Sequence, residues 1–173
     1  LGDVYKRQGM AERTVVVNGF SKAYAMTGWR MGYLCAPAPL AAQMLKLHQF
    51  GIMSAPTTAQ FAAIEAMRNG DEDVTMMRSE YNRRRRYLTS GLRALGMPCF
   101  EPKGAFYVFP NISGFGLSSE QFCERLLKEM EVVAVPGTAF GESGEGHIRC
   151  CYATALDLLN EALDRIARFV KTL

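Results

Sequence analysis

The residues in this sequence best suited to chemistry are a lysine at position 22 and arginines at 30 and 149. Lys22 follows Ser21 just beyond residues 14–17, a β-branched run too short for a helix that reads as a buried strand ended by Asn18-Gly19. Open α/β sheets place their ligands past such strand ends. A lysine partly withdrawn from water there loses some preference for the charged form, and its free amine can attack a carbonyl. Arg30 sits eight residues on, in Gly28-Trp29-Arg30-Met31-Gly32. Its planar fork donates two parallel hydrogen bonds and suits a phosphate, while the flanking glycines allow close backbone approach. Read blandly, the same residues are a surface lysine and a turn. Arg149, in Gly146-His147-Ile148-Arg149, falls on a strand that reads apolar on both sides. A guanidinium there needs a partner, because an unpaired buried charge is very costly. That partner is either a structural carboxylate or the carboxylate of a substrate.

The elements that must position these groups can be read from periodicity. Residues 31–36 read as a second strand closed by Pro37 and Pro39, and residues 40–50 as a helix ended by Gly51. Thr57 or Thr58 is placed to cap a helix running to Asn69, with Gly70 as its left-handed stop. A long helix follows from 71 to about 95, with Val74, Met77, Tyr81, Leu88, Leu92 and Leu95 as its apolar stripe. The four arginines 83–86 inside it point about 100° apart and ring the helix, so they form no one-sided patch; Glu80 is placed to pair with Arg84. From Met97 the texture changes to short strands and helices. Residues 99–101 and 105–109 flank the turn Pro102-Lys103-Gly104 and suggest an antiparallel pair. Ser118 opens a helix to Met130 with Gln121 as its capping-box partner and Leu117 stapling Phe122. Residues 132–135 and 147–152 read as strands, and Thr154 as the cap of a last helix with Leu156, Leu159, Leu163, Ile166 and Val170 inside.

Composition narrows the function classes. A formal charge of +3 is too small to argue for nucleic acid, and short, interrupted apolar runs give neither a membrane span nor a signal-peptide core, so no nucleic-acid or membrane partner is expected. Five cysteines without metal-ligand spacing argue for a reduced, cytoplasmic setting and against a metal site. Neighbouring Cys150 and Cys151 on a strand point to opposite faces, which opposes a bond between them. His48 and His147 lack the neighbours of a catalytic triad and read as packing or surface residues; Tyr24 and Trp29 read as core or pocket wall. Residues 1–9 are expected to be cloning- or adaptor-derived.

Together Ser21, Lys22, Thr27, Gly28, Arg30 and Gly32 resemble the cofactor-lysine signature of the class I and II aminotransferases, the fold-type I enzymes of the aspartate and aromatic aminotransferase group. The resemblance implies that Lys22 is catalytic and forms the Schiff base with pyridoxal 5′-phosphate, and that Ser21 and Arg30 hold the cofactor's phosphate. Gly146, Arg149, Tyr152 and Ala153 resemble the family's site for the substrate α-carboxylate, which makes Arg149 substrate-binding. Cys150-Cys151 departs from the small hydroxyl or apolar residues more usual there. Pro136-Gly137-x-x-Phe140-Gly141 and Gly104-Ala105-Phe106-Tyr107 resemble two further family segments, one just before that arginine and one near the substrate entrance. Read structurally they are turns needing glycine, and neither is taken as catalytic.

The fold expected from the resemblance is α/β: a partial large-domain sheet of a fold-type I enzyme plus a C-terminal α+β small domain. Residues 10–70 would belong to the cofactor-binding domain, 71–96 to a linking helix and 97–173 to the small domain. Family subunits are more than twice this length, so the chain is expected to be a C-terminal portion, inactive alone, of a homodimeric enzyme acting on an amino acid and a 2-oxo acid. Residues 12–50, without neighbouring strands, would expose a sheet edge. Two rivals share the scaffold. One is a C–S β-lyase or aminocyclopropane-carboxylate-type synthase; the other is an effector-sensing domain of a transcription regulator.

Overall fold

The computed structural model describes residue 7 and residues 9–173. The stretch expected to be adaptor-derived lies outside the described residues except at Arg7 and Gly9. The chain divides into two compact units, residues 1–76 and 77–173.

In the first unit, strand β1 (Val16–Gly19) pairs antiparallel with β2 (Gly32–Cys35), Val16 opposite Cys35 and Gly19 opposite Gly32. The expected strand thus starts later and runs through Asn18-Gly19, because two facing glycines let the backbones close up. A Cβ on Gly32 would lie 3.0 Å from the Asn18 carbonyl oxygen. Nor is β1 buried: Val17 is 72% exposed, since β1 and β2 make a two-stranded sheet with no covering layer over this residue. Helix α1 (Ala38–Ile52) takes Pro39 into its first turn, where a missing N–H costs nothing, and runs through Gly51 to stop at Met53. It buries none of its residues. Helix α2 (Thr57–Asn69) starts after Pro56 without a side-chain cap. Gly70 is not left-handed, with φ −88°. It is needed for space instead, as a Cβ there would meet the Ala66 carbonyl oxygen at 2.5 Å and Tyr24 at 3.3 Å.

Helix α3 (Asp71–Ala94) begins with three acidic residues at its positive end and stops at Gly96, which adopts φ +80°. Glu80 accepts from both Arg83 and Arg84, and Arg85 pairs with Glu101. The second unit's sheet has the order β3-β5-β4, all antiparallel: β3 (Tyr107–Val108), β4 (Val135–Pro136) and, between them, β5 (Ile148–Cys151). Residues 99–101 form no strand; the partner of β3 is β5, whose central place in the sheet offers the ladder that a two-stranded hairpin could not sustain alone. Helix α4 (Ser119–Met130) carries the full capping box, with Ser118 Oγ accepting from Gln121 N–H and Gln121 Oε1 accepting from Ser118 N–H. Helix α5 (Leu156–Val170) has Ala155 rather than Thr154 at its cap. Leu88, Leu92, Met97, Val108, Ile112, Phe122, Leu126, Ile148, Tyr152, Leu159, Leu163, Ile166 and Phe169 form one core. Phe122 and Phe169 meet edge to face at 5.1 Å. Gly91 admits Leu163 against α3, where a Cβ would sit 2.5 Å from its Cδ1.

Candidate active site

Residues 20–31 form the loop that carries Ser21, Lys22 and Arg30 from the end of β1 to the start of β2, closed at its base where Phe20 N–H donates to Met31 O at 3.2 Å. Its apolar anchors are Phe20 and Met26, 2% and 7% exposed, which cluster with Ala63 of α2. Small residues on that helix face, Ala62, Ala63 and Ala66, let the loop approach. Polar closure runs through a residue to which the sequence alone assigned no role. Thr27 Oγ1 donates to Ser21 O at 2.7 Å, and Arg30 Nη1 donates to Thr27 O at 2.9 Å. Thr27 therefore ties Ser21 to Arg30 across the loop.

Arg30 and Ala25 hold left-handed backbone, φ 54° and 53°, a conformation disfavoured for residues with a Cβ. Such outliers cluster at functional sites because the surrounding contacts must enforce them. Gly28 has no such need: its φ is not positive and a Cβ there would meet nothing within 4 Å. It opens instead onto a hollow of about 360 Å³ lined by Ala25, Gly28, Trp29, Arg30, Pro56, Thr58 and Ala59. Ser21 and Lys22 do not line that hollow. Lys22 is exposed, and its backbone oxygen accepts from Ala25 N–H at 3.3 Å. Tyr24 packs against Phe20 at 5.4 Å, and Trp29 is a hollow wall left 47% exposed.

Arg149 is described in the second unit by itself. It lies on the central strand β5, opposite Val135 of β4. Only one face of β5 is buried: Ile148 is 0% exposed and Cys150 packs against the core, so Arg149 and Cys151 share the other face. The strand is therefore two-sided rather than apolar throughout. Tyr107 stands opposite Cys151 and is thus a diagonal neighbour of Arg149. The Arg149 guanidinium carbon lies over the Tyr107 ring at 4.4 Å and over the Phe140 ring at 4.9 Å. Among the described residues no carboxylate pairs with it. Of the two partners considered for this arginine, the structural carboxylate is not what the unit provides.

Beside it, burial pushes the Cys150 thiol up to about 12 and the Cys123 thiol up to about 11, so both stay protonated at neutral pH and serve as packing. His147 stacks on Phe109 at 5.2 Å and 4° and contacts Asn111, in keeping with a packing role. Tyr107 and Phe140 belong to the two glycine-bearing segments that the sequence reading left as turns. Their aromatic positions beside glycines were the available signal. Among the described residues no cluster of His, Cys, Asp or Glu could hold a metal ion, and no helix is long and apolar enough to cross a membrane.

Comparison with known proteins gives the chain a family. The profile of the family described as aminotransferase class I and II matches residues 2–166. A Bacillus subtilis protein, YugH, whose name marks it as a candidate aminotransferase, is 55% identical over 94% of this chain and 42% of its own length. An aromatic-amino-acid aminotransferase of Thermococcus litoralis is 47% identical, again over 94% of this chain and 42% of its own. The solved aromatic aminotransferase of Pyrococcus horikoshii superimposes with a TM-score of 0.90 at 45% identity, covering 96% of this chain and 45% of that one. The chain thus spans about two fifths of the length of the relatives it matches. Its fold is the corresponding part of a fold-type I enzyme, and the chain belongs to the class I and II aminotransferases.

Proposed function

We propose that this chain is part of an enzyme that moves an amino group between an amino acid and a 2-oxo acid, with Lys22 as its catalytic amine. Members of the family use pyridoxal phosphate. The donor set fits that group. An amine at Lys22 matches an aldehyde, while a hydroxyl at Ser21 and a guanidinium at Arg30 match a phosphate, and all three sit on one internally hydrogen-bonded loop. That loop is the observation that carries the reading. When bound, the cofactor supplies the electron sink for the bonds at the substrate's Cα.

The chain's own residues do the rest. Arg149 grips the substrate carboxylate through its in-plane N–H groups, with no protein carboxylate competing among the described residues. The Lys22 amine takes the proton from Cα as general base and returns it as general acid. Ser21 and Arg30 hold the phosphate end so that this amine stays within reach. In this reading residues 10–70 belong to the cofactor-binding domain, 71–96 to a linking helix and 97–173 to the small domain. The whole enzyme is a cytoplasmic homodimer, with no nucleic-acid or membrane partner.

Borohydride reduction of the full-length enzyme loaded with pyridoxal phosphate should leave the cofactor's mass on the peptide containing Lys22. Lys22→Ala should lower turnover by roughly 10²- to 10⁴-fold. A label on a different lysine, or parental turnover in Lys22→Ala, would overturn the assignment. Pyruvate released from a cysteine-type substrate without any 2-oxo acid would point to a lyase on the same scaffold.

A further inference from the structure

Arg149 is gripped by aromatic faces, and we propose that Tyr107 and Phe140 are positioning residues that set the plane of its guanidinium for the substrate carboxylate. This rests on the reading of Arg149 as the substrate-binding arginine.

Both rings reach it for reasons of backbone geometry. Tyr107 comes from the diagonal register of β3 on β5. Phe140 ends the short helical turn Gly137–Phe140, which follows β4 directly. That turn is fixed by two glycines in close approach: a Cβ on Gly137 would lie 1.9 Å from the Gly144 carbonyl oxygen, and one on Gly144 would lie 2.0 Å from that of Gly137. Gly137 N–H also donates to His147 O at 2.8 Å. The Phe140 ring is braced edge-on by Phe109 at 6.0 Å and 77°, and Phe109 in turn stacks on His147. Yet Phe140 is 53% exposed and Phe109 38%. Rings so exposed contribute little to a core. Phe140 meets the arginine and Phe109, and Phe109 links Phe140 to His147.

The choice of aromatic rings over a carboxylate has a chemical consequence. A carboxylate would hold the guanidinium equally still, but it would occupy the N–H groups and cancel the charge. A cation–π contact is made through the face of the guanidinium and leaves its in-plane N–H edge unspent. A substrate carboxylate approaches along that edge and takes two parallel hydrogen bonds. Fixing the plane beforehand lowers the ordering cost of that encounter.

The test uses the full-length enzyme with L-glutamate and with 4-aminobutyrate, which is L-glutamate without its α-carboxylate. Binding of each is followed through the cofactor's absorbance, and turnover is measured with L-glutamate. Phe140→Leu and Tyr107→Leu keep apolar bulk and remove the π face. Each should raise the KM for L-glutamate roughly five- to tenfold while kcat stays within about twofold. Half-saturation by 4-aminobutyrate should not move, and Tyr107→Phe should restore most of the loss. Thermal midpoints separate a folding defect in Tyr107→Leu from a binding one, and Phe140, half in water, gives the independent variant. An unchanged KM in Phe140→Leu, or equal weakening of both probes, overturns the proposal. Arg149→Lys keeps the two readings apart. If it leaves the L-glutamate KM unchanged, the substrate role of Arg149 fails; if it raises KM while the ring variants do not, only the positioning role fails.

Discussion

The two units hold their shape by different means. Residues 77–173 enclose Leu92, Phe122, Leu126, Ile148, Tyr152 and Phe169 in a continuous core, with Phe122, Leu126, Ile148 and Phe169 at 0% exposure. Among the described residues the first unit buries little more than Phe20, Met26, Ala59 and Ala63, while Phe50 is 94% exposed, Met53 80% and Leu47 76%. A small core yields little folding free energy, and large exposed apolar side chains mark surfaces built to be covered. The Lys22 loop keeps its form through local hydrogen bonds and two anchors, whereas the Arg149 grip stands on a packed sheet. In the reading proposed above, the proton-moving amine therefore sits in the weakly self-supported unit and the carboxylate grip in the strongly supported one.

The widest gap between the units should show in paired truncations of phenylalanine in this chain. Phe122→Ala removes a fully buried ring that meets Phe169 and should cost about 3–5 kcal/mol. Phe50→Ala removes a ring almost wholly in water and should stay within about 0.5 kcal/mol. Urea unfolding monitored by amide exchange, residue by residue, checks both. Slow exchange should be confined to the C-terminal half of α3, α4, α5 and β5. Similar losses in the two variants would erase the contrast.

Helix starts give a smaller test of the same contrast. Ser118 and Gln121 satisfy each other's backbone N–H groups at the start of α4, so Ser118→Ala should cost about 1 kcal/mol. Helix α2 begins without any side-chain cap, so Thr57→Ala should change stability by no more than a few tenths of a kcal/mol. Denaturant midpoints of the two variants decide it. A larger loss in Thr57→Ala than in Ser118→Ala would show that the local hydrogen bonds do not set these starts.

The capping box was legible in the sequence because both its partners lie within one helical turn. The same locality made the long helix and its Glu80–Arg84 pair readable. Non-local features were not. The partner of β3 is a strand some forty residues further on, and no periodicity near Tyr107 announces Cys151. Gly70 looked like a conformational glycine and proved to be a steric one, crowded by the Ala66 carbonyl of its own helix and by Tyr24, which is distant in sequence. At the proposed site, the grouping of Ser21, Lys22 and Arg30 on one loop was legible from spacing, since all three lie within residues 20–31. The aromatic grip on Arg149 was hidden, since Tyr107 and Phe140 reach it through sheet register and a turn locked by Gly137 and Gly144.

Charge should separate the units least, but with a definite sign. The second unit carries a series of ion pairs, beginning with Glu80 against Arg83 and Arg84. Hydrogen bonds from those two guanidinium groups lower the Glu80 carboxyl from 4.5 to about 2. The folded state thus binds fewer protons than the unfolded chain across that interval. Its stabilisation is fully present above pH 4.5 and is lost as the pH falls toward about 2. Because the group is exposed, the effect is small and salt weakens it. Urea midpoints of the second unit, measured from pH 5 down to about 2, should fall less steeply in Glu80→Gln than in the parent chain. Adding 0.5 M salt, about five times the level at which the screening length is near 10 Å, should bring the two curves together. Identical slopes at low salt would mean that the pair of arginines does not bias folding, and that the second unit's advantage rests on its apolar core alone.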